Sequence, residues 1–269
     1  MVIQHNIAAN NAYRNLSSNA SNGQKNLEKL SSGFRINRSA DDAAGLAISE
    51  QMRSKINGLD QATANANDAI GLIQTAEGAL TETHSMLQRM VTLATQSANG
   101  TYNTTARSAL SAEVNALKEE INRIASTTDY NGVKPLAASS AIQVQVGPTS
   151  SETLDIAAAK MDASSLSISA ITVSSVSSAN TAITAINKAI DKVSAHRANL
   201  GASQNRLEHT INNLKTTSEN MTAAESRIRD TDMAKEMAAF TKNNILNQAA
   251  QSMLSQANQQ PQGVLSLLR

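Results

Sequence analysis

The chain has 269 residues and carries 23 Lys and Arg against 22 Asp and Glu, a formal net charge of +1. That balance gives no strong field for nucleic acid or an anionic membrane, so neither partner is expected. Cysteine is absent, which excludes disulfides and thiol sites, and aromatic residues make up only 2%. Aliphatic side chains with Ala, Ser, Thr, Asn and Gln suit long helix–helix seams better than an aromatic-rich interior.

Residues 3–32 are predicted to form a first helix. Ile3, Ile7, Leu16, Leu27 and Leu30 are its sparse apolar positions, and Gly33 is a plausible stop. The opening MVIQHNIAANNAYRNL lacks a charged stretch followed by a continuous apolar one, so no cleavable secretory signal is expected. No apolar run reaches the roughly 18 residues of a membrane span, so no membrane insertion is expected.

LSSGFRINRSADDAAGLAIS, residues 30–49, then gathers glycine, arginine and aspartate. Ser39 is predicted to cap a second helix with Asp41 and Asp42 in its first turn, where carboxylates oppose the positive end of the helix dipole. That helix is expected to reach about Asn99-Gly100, with a seam through Ile56, Leu59, Ala66, Ile70, Ile73, Leu80, Leu87, Val91 and Ala94. At about 1.5 Å per residue it would be roughly 85 Å long. A third helix over about 104–126 follows from Leu110, Val114, Leu117, Ile121 and Ile124, which recur in steps of three and four.

DYNGVKPL, residues 129–136, is a turn signal. Ile142, Val144 and Val146, then Leu154 and Ile156, alternate with polar neighbours, which predicts a small β-hairpin within about 137–175 and a further short strand near 165–174. Ile186, Val193, Leu200, Leu207, Leu214, Met221 and Ile228 recur every seven residues, the pattern of a long helix packed along other helices. RDTDMAKEM, residues 229–237, interrupts it, with Asp232 as the cap of a last helix ending near 258 before Pro261. The chain closes on the apolar VLSLLR.

Little here suggests chemistry. His5, His84, His196 and His209 include no i,i+4 pair that would place two metal ligands on one helix face. Asp230 and Asp232 have no further ligands nearby, and no phosphate loop or nucleophile elbow is present. No catalytic, cofactor or metal site is expected, and an enzyme is not. Each end carries an apolar stripe that it cannot bury alone. Pairing the N-terminal with the C-terminal helix would use part of both, and the remainder asks for neighbours.

The ends also resemble a known family. LSSGFRINRSADDAAGLAIS, NANDAIGLIQTAEGALTETHSMLQRM and LATQSANG are similar to the N-terminal region of bacterial flagellin. RIRDTDMAKEMAAFTKNNILNQAAQSMLSQANQQPQGVLSLLR is similar to its C-terminal region, and the HNIAAN opening is of the firmicute type. The resemblance covers roughly 1–136 and 180–269. It implies a mainly α fold: a long antiparallel helical coiled-coil rod with a small β-hairpin, the N- and C-terminal helices paired. Residues 1–38 and 233–269 would form an inner coiled-coil terminal domain, and 39–232 a rod-like helical domain. The short centre implies a minimal member without the large central outer domains.

The implied function is a structural subunit that polymerises into the extracellular flagellar filament for swimming motility. It would be exported unfolded, without a cleavable signal peptide, and assembled at the filament tip. Implied partners are copies of itself, the flagellar type III export apparatus, an export chaperone, the filament cap and the hook-associated junction proteins. Arg35, Arg38, Asp41 and Asp42 become subunit-interface candidates. Val264, Leu265, Leu267, Leu268 and Arg269 become a filament-core segment, similar to the one read by cytosolic inflammasome receptors. Arg89, Leu93 and Glu113 match the positions bound by the flagellin-sensing Toll-like receptor, although Val91 and Thr92 stand where many members have an Arg-Glu pair. A hook–filament junction protein shares the terminal helices. From other classes, a chemoreceptor-like signalling hairpin and a pore-forming translocator fit less well, the first for its helical tip, the second for its continuous apolar hairpin.

Overall fold

The computed structural model describes residues 6–267, with side chains described as far as residue 260. Among the described residues, five helices and one hairpin occur in the order α1 (Ile7–Ser32), α2 (Ala43–Ala98), α3 (Thr104–Thr127), β1 (Ile142–Gln145), β2 (Thr153–Ile156), α4 (Val176–Arg229) and α5 (Met233–Leu267).

The helix ends follow from capping. Asn6 accepts a hydrogen bond from the Ala9 amide at 3.0 Å and starts α1. Gly33, at φ 75°, ends it in the left-handed conformation that glycine adopts without steric cost. Asp42, not Ser39, caps α2: its Oδ1 accepts from Gly45 N at 2.9 Å, and its carbonyl accepts from Leu46 N at 3.0 Å. A carboxylate at this position offsets the dipole as well as an orphan amide, and both aspartates precede the first turn instead of occupying it. Asn103 caps α3. Asp232 caps α5, accepting from Ala234 N at 3.0 Å and Lys235 N at 3.2 Å. Pro261 does not end α5, whose backbone stays helical to Leu267. A proline removes one i→i−4 bond, and the bonds before and after it carry the helix through.

Contacts divide the chain into two compact units, Met1–Ile56 with Glu219–Arg269, and Asn57–Ser218. The second unit holds the core. Ile73, Leu80 and Leu87 of α2 and Ile121 of α3 are fully buried, as are Ile186, Val193 and Leu207 of α4. The first five members of the seven-residue series, Ile186 to Leu214, are buried; Met221 and Ile228, in the other unit, are only half-buried. The hairpin pairs antiparallel with Ile142 opposite Ile156 and Val144 opposite Leu154. Asn131 (φ 50°) and Gly132 (φ 84°) form a two-residue turn in which Tyr130 and Val133 exchange both backbone bonds, at 2.9 and 3.0 Å.

No strand forms near 165–174. Leu166, Ile168, Ile171 and Val173 are buried there, but in a chain of turns with Ser167 at φ 63°. Alternating burial arose because a coil lies against helices, with no neighbouring strand to pair. Its backbone groups are satisfied otherwise: Ile168 N donates to Ala163 O at 2.9 Å, and Lys118 Nζ donates to Ser169 O and Ile171 O at 3.2 and 3.1 Å.

His196 lies among these apolar positions of α4, 6% exposed, and burial lowers its pKa. A lowered pKa favours neutral imidazole in the folded chain. Its stabilising contribution is therefore present above the unfolded value, about 6.5, and lost as pH falls and only the unfolded chain takes up the proton. The melting midpoint should fall between about pH 7 and pH 5, and His196→Leu should lose less over that interval. Equal slopes in calorimetry would remove His196 as a cause.

The first unit is built differently. Asn6 Nδ2 donates to Ala257 O at 2.8 Å, and Thr231 N donates to Gly33 O at 3.0 Å. The start of α1 thus meets the far part of α5, and its end meets the start of α5, an antiparallel pair. No residue of α1 is buried. Ile7, Tyr13, Ile245 and Met253 each remain more than 60% exposed.

Candidate functional site

The connector between α1 and α2 is tied to the end of α4. Arg35 N donates to Arg229 O at 2.7 Å, and its guanidinium donates to Ile228 O at 2.5 Å, satisfying carbonyls that a helix C-terminus leaves open. Phe34 forms an isolated bridge with Asp230. Its ring lies 4.7 Å from the Arg229 guanidinium and 5.9 Å from that of Arg53. Those arginines are also ion-paired, Arg229 with Glu50 at 2.5 Å and Arg53 with Glu225 at 3.0 Å.

All four residues named for this stretch are engaged within the chain. Arg35 holds the α4 carbonyls and Asp42 caps α2. Asp41 Oδ2 accepts from Arg38 N at 3.1 Å and Asn37 N at 3.2 Å, and these bonds lower its pKa. Arg38 pairs with Glu28 at 2.8 Å, which raises its pKa, yet its side chain is 72% exposed. Phe34, Glu50, Arg53, Glu225 and Arg229 were missed from sequence. The three-residue spacing of Glu50 and Arg53 is a visible signal, but their partners lie more than 170 positions away.

A second surface lies on α2 and α3. Arg89 Nε and Nη2 both lie 2.8 Å from Glu113 Oε1, with the two side chains 56% and 42% exposed. Leu93 is 1% exposed, so it is a core residue beneath this pair and not a surface contact. It faces inward because it shares the seam side of α2 with Met90 and Ala94, both fully buried. Beside Arg89 runs a groove of about 530 Å3, bordered by Gln88, Thr92, Gln96, Asn99 and Tyr102.

A third surface is the apolar exposure of the first unit. Leu27, Met233 and Met237 are about half exposed, in addition to the four residues above. The side chains of Val264, Leu265 and Leu267, and all of Leu268 and Arg269, lie outside the described residues. Among the described residues no three His, Asp or Glu come together as a metal site needs, and no helix is long and apolar enough to cross a membrane.

A chain whose ends pair, bury no α1 residue and leave large apolar side chains exposed has the character of a structural subunit made to associate. Residues 3–141 match the bacterial flagellin N-terminal helical region, and residues 183–268 match the C-terminal helical region. The chain is 56% identical to a flagellin of Halalkalibacterium halodurans over 272 aligned residues, and 49% identical to a flagellin of Bacillus subtilis over 304, covering all of each chain. The crystal structure of Bacillus cereus flagellin superposes with a TM-score of 0.51 at 36% identity, covering 60% of this chain and 94% of that one. The chain belongs to the bacterial flagellins, the structural subunits of the flagellar filament. Full-length identity at this level favours the filament subunit over a junction protein or a signalling hairpin.

Proposed function

We propose that residues 1–38 and 233–269 form an inner coiled-coil domain that completes its fold only when neighbouring subunits cover it, and that 39–232 form the rod-like domain of the subunit. The observation that carries this is the exposure of Ile7, Tyr13, Ile245 and Met253 on a helix pair without a buried α1 residue. Ordering a residue costs about 1–2 kcal/mol of backbone entropy, which such a pair offsets poorly alone. Copies stacked in an open helical polymer supply the missing burial. Of the four connector residues, Arg38 offers its charge outward and is the one suited to a neighbouring subunit.

Ends that remain loosely held suit passage through the flagellar type III export apparatus in the unfolded state, with an export chaperone in the cell. Addition at the filament tip beneath the cap, above the hook-associated junction proteins, completes the route. Amide exchange tests this reading. Monomer should exchange rapidly in α1 and α5 and slowly across the Asn57–Ser218 core, and filament should protect both. Slow exchange at both ends of a verified monomer would overturn it.

Immune recognition is a second expected property. The exposed Arg89–Glu113 pair, with Leu93 as support from below, offers a charged patch to the flagellin-sensing Toll-like receptor. The C-terminal segment is offered to cytosolic inflammasome receptors. Arg89→Ala should reduce receptor signalling by soluble monomer about thirtyfold, as loss of a central interface arginine worth about 2 kcal/mol does. A reporter-cell dose response that does not move, with an unchanged melting curve, would reject the patch.

A further inference from the structure

The sequence contains four Asn-Gly pairs: Asn22-Gly23, Asn57-Gly58, Asn99-Gly100 and Asn131-Gly132. In such a pair the glycine nitrogen can attack the asparagine side-chain carbon, because no Cβ obstructs the approach and the backbone turns freely. The reaction needs a glycine N–H free to lose its proton.

The fold treats the four pairs differently. Gly23 and Gly58 lie inside α1 and α2, where each N–H is bonded to the carbonyl four residues back. Gly132 N donates to Asp129 Oδ2 at 3.1 Å, within a turn closed by the Tyr130–Val133 bonds. Gly100 lies in the exposed turn between α2 and α3, and its N–H has no hydrogen-bond partner among the described residues.

The surroundings of Asn99 also favour the reaction. Arg107 Nη2 donates to Asn99 O at 3.0 Å, and its Nε donates to Ser97 O at 3.1 Å, which holds the guanidinium in place. Asn99 O is the carbonyl oxygen of the peptide whose nitrogen must deprotonate. A cation there stabilises the deprotonated, nucleophilic form. On the other side, Thr101 N donates to Asn99 Oδ1 at 3.2 Å. That donor faces the oxygen on which negative charge gathers when the side-chain carbon is attacked.

We propose that Asn99 is a self-modification site, converted without an enzyme through a cyclic imide by its own Arg107-polarised backbone. Gly100 N gives its proton to solvent base and bonds to Asn99 Cγ. The Cγ–Nδ2 bond breaks, and the amide nitrogen leaves as ammonia with a proton from solvent. Water then adds to one of the two ring carbonyls and that carbon's bond to the Gly100 nitrogen breaks, the nitrogen regaining a proton: opening at Cγ gives aspartate at position 99, and opening at the main-chain carbonyl gives isoaspartate. Either product places a carboxylate in the groove that Arg89 borders. Isoaspartate also lengthens the main chain by one methylene beneath the Arg107 anchor.

Incubating the full-length protein at mildly alkaline pH, followed by peptide mapping with isoaspartate detection, tests the proposal. Asn99 should convert at least about tenfold faster than Asn57 and Asn131, which react only through local opening of the Asn57–Ser218 unit; Asn22 lies in α1, which the proposed function leaves open to exchange in the monomer, and is no comparison. In denaturant the four rates should converge, because the differences belong to the fold. Arg107→Gln should slow conversion at Asn99 in the folded chain while leaving its rate in denaturant unchanged. Gly100→Ala, where no atom lies within 4 Å of an added Cβ, should keep the melting midpoint and suppress the product. Earlier conversion at Asn131, equal rates at Asn57, Asn99 and Asn131 in the folded chain, or an unchanged Asn99 rate in Arg107→Gln would overturn it.

Discussion

Leu207→Asp should lower the melting midpoint by roughly 8–20 °C, the largest effect expected of any single substitution in the core. Leu207 is 0% exposed and belongs to the buried part of the seven-residue series on α4. The substitution removes most of an aliphatic side chain and leaves an unpaired carboxylate among Ile, Leu and Val. Cavity formation and charge burial together cost about 4–5 kcal/mol. At this domain size each kcal/mol moves the midpoint by about 2–4 °C. Met221→Asp, in the same series but half-buried, provides the internal comparison and should cost less than half as much. Circular dichroism melts of the two variants decide the matter. Equal shifts would mean that the series is not divided between a cored and an uncored unit.

Deleting residues 233–269 should abolish filament growth while leaving the core of Asn57–Ser218 folded. The deletion removes α5, the antiparallel partner of α1, and with it Ile245 and Met253, both 61% exposed in the single chain. Those side chains contribute little to the isolated subunit, so their removal changes its melting little. On the proposed function they meet neighbouring copies in the polymer, and without them each subunit would lose the burial that offsets the ordering of its ends. Electron microscopy of seeded solutions reads the outcome directly. Filaments of normal length from the shortened chain would show that α5 is not part of the assembly contacts, and a collapsed circular dichroism melt would show that it supports the core after all.

Much of the architecture was written in spacing. The seven-residue series fixed one face of α4, the steps of three and four fixed α3, and alternation at 142–146 and 154–156 marked the hairpin, because each regular element repeats its burial at its own period. Asp232 and Gly33 were legible because a cap acts within a few residues. Other features depended on contacts that no local rule contains. Ser39 is the cap expected from sequence, with Asp42 in the first turn, but the helix begins only at Ala43 and Asp42 caps it. The 165–174 segment alternates like a strand, yet no strand lies beside it, and pairing is a property of neighbours. The resemblance to the family groups Arg89, Leu93 and Glu113 as one patch. The rotation of α2 over its seam separated them, sending Leu93 into the core and leaving the ion pair outside. The ring of Phe34 with Arg53 and Arg229, and the free amide of Gly100 beside Arg107, arise where distant or turning backbone converges. Periodicity determined which residues face inward on α2, α3 and α4; only tertiary packing decided what each of them meets, and left the apolar positions of α1 and α5 exposed.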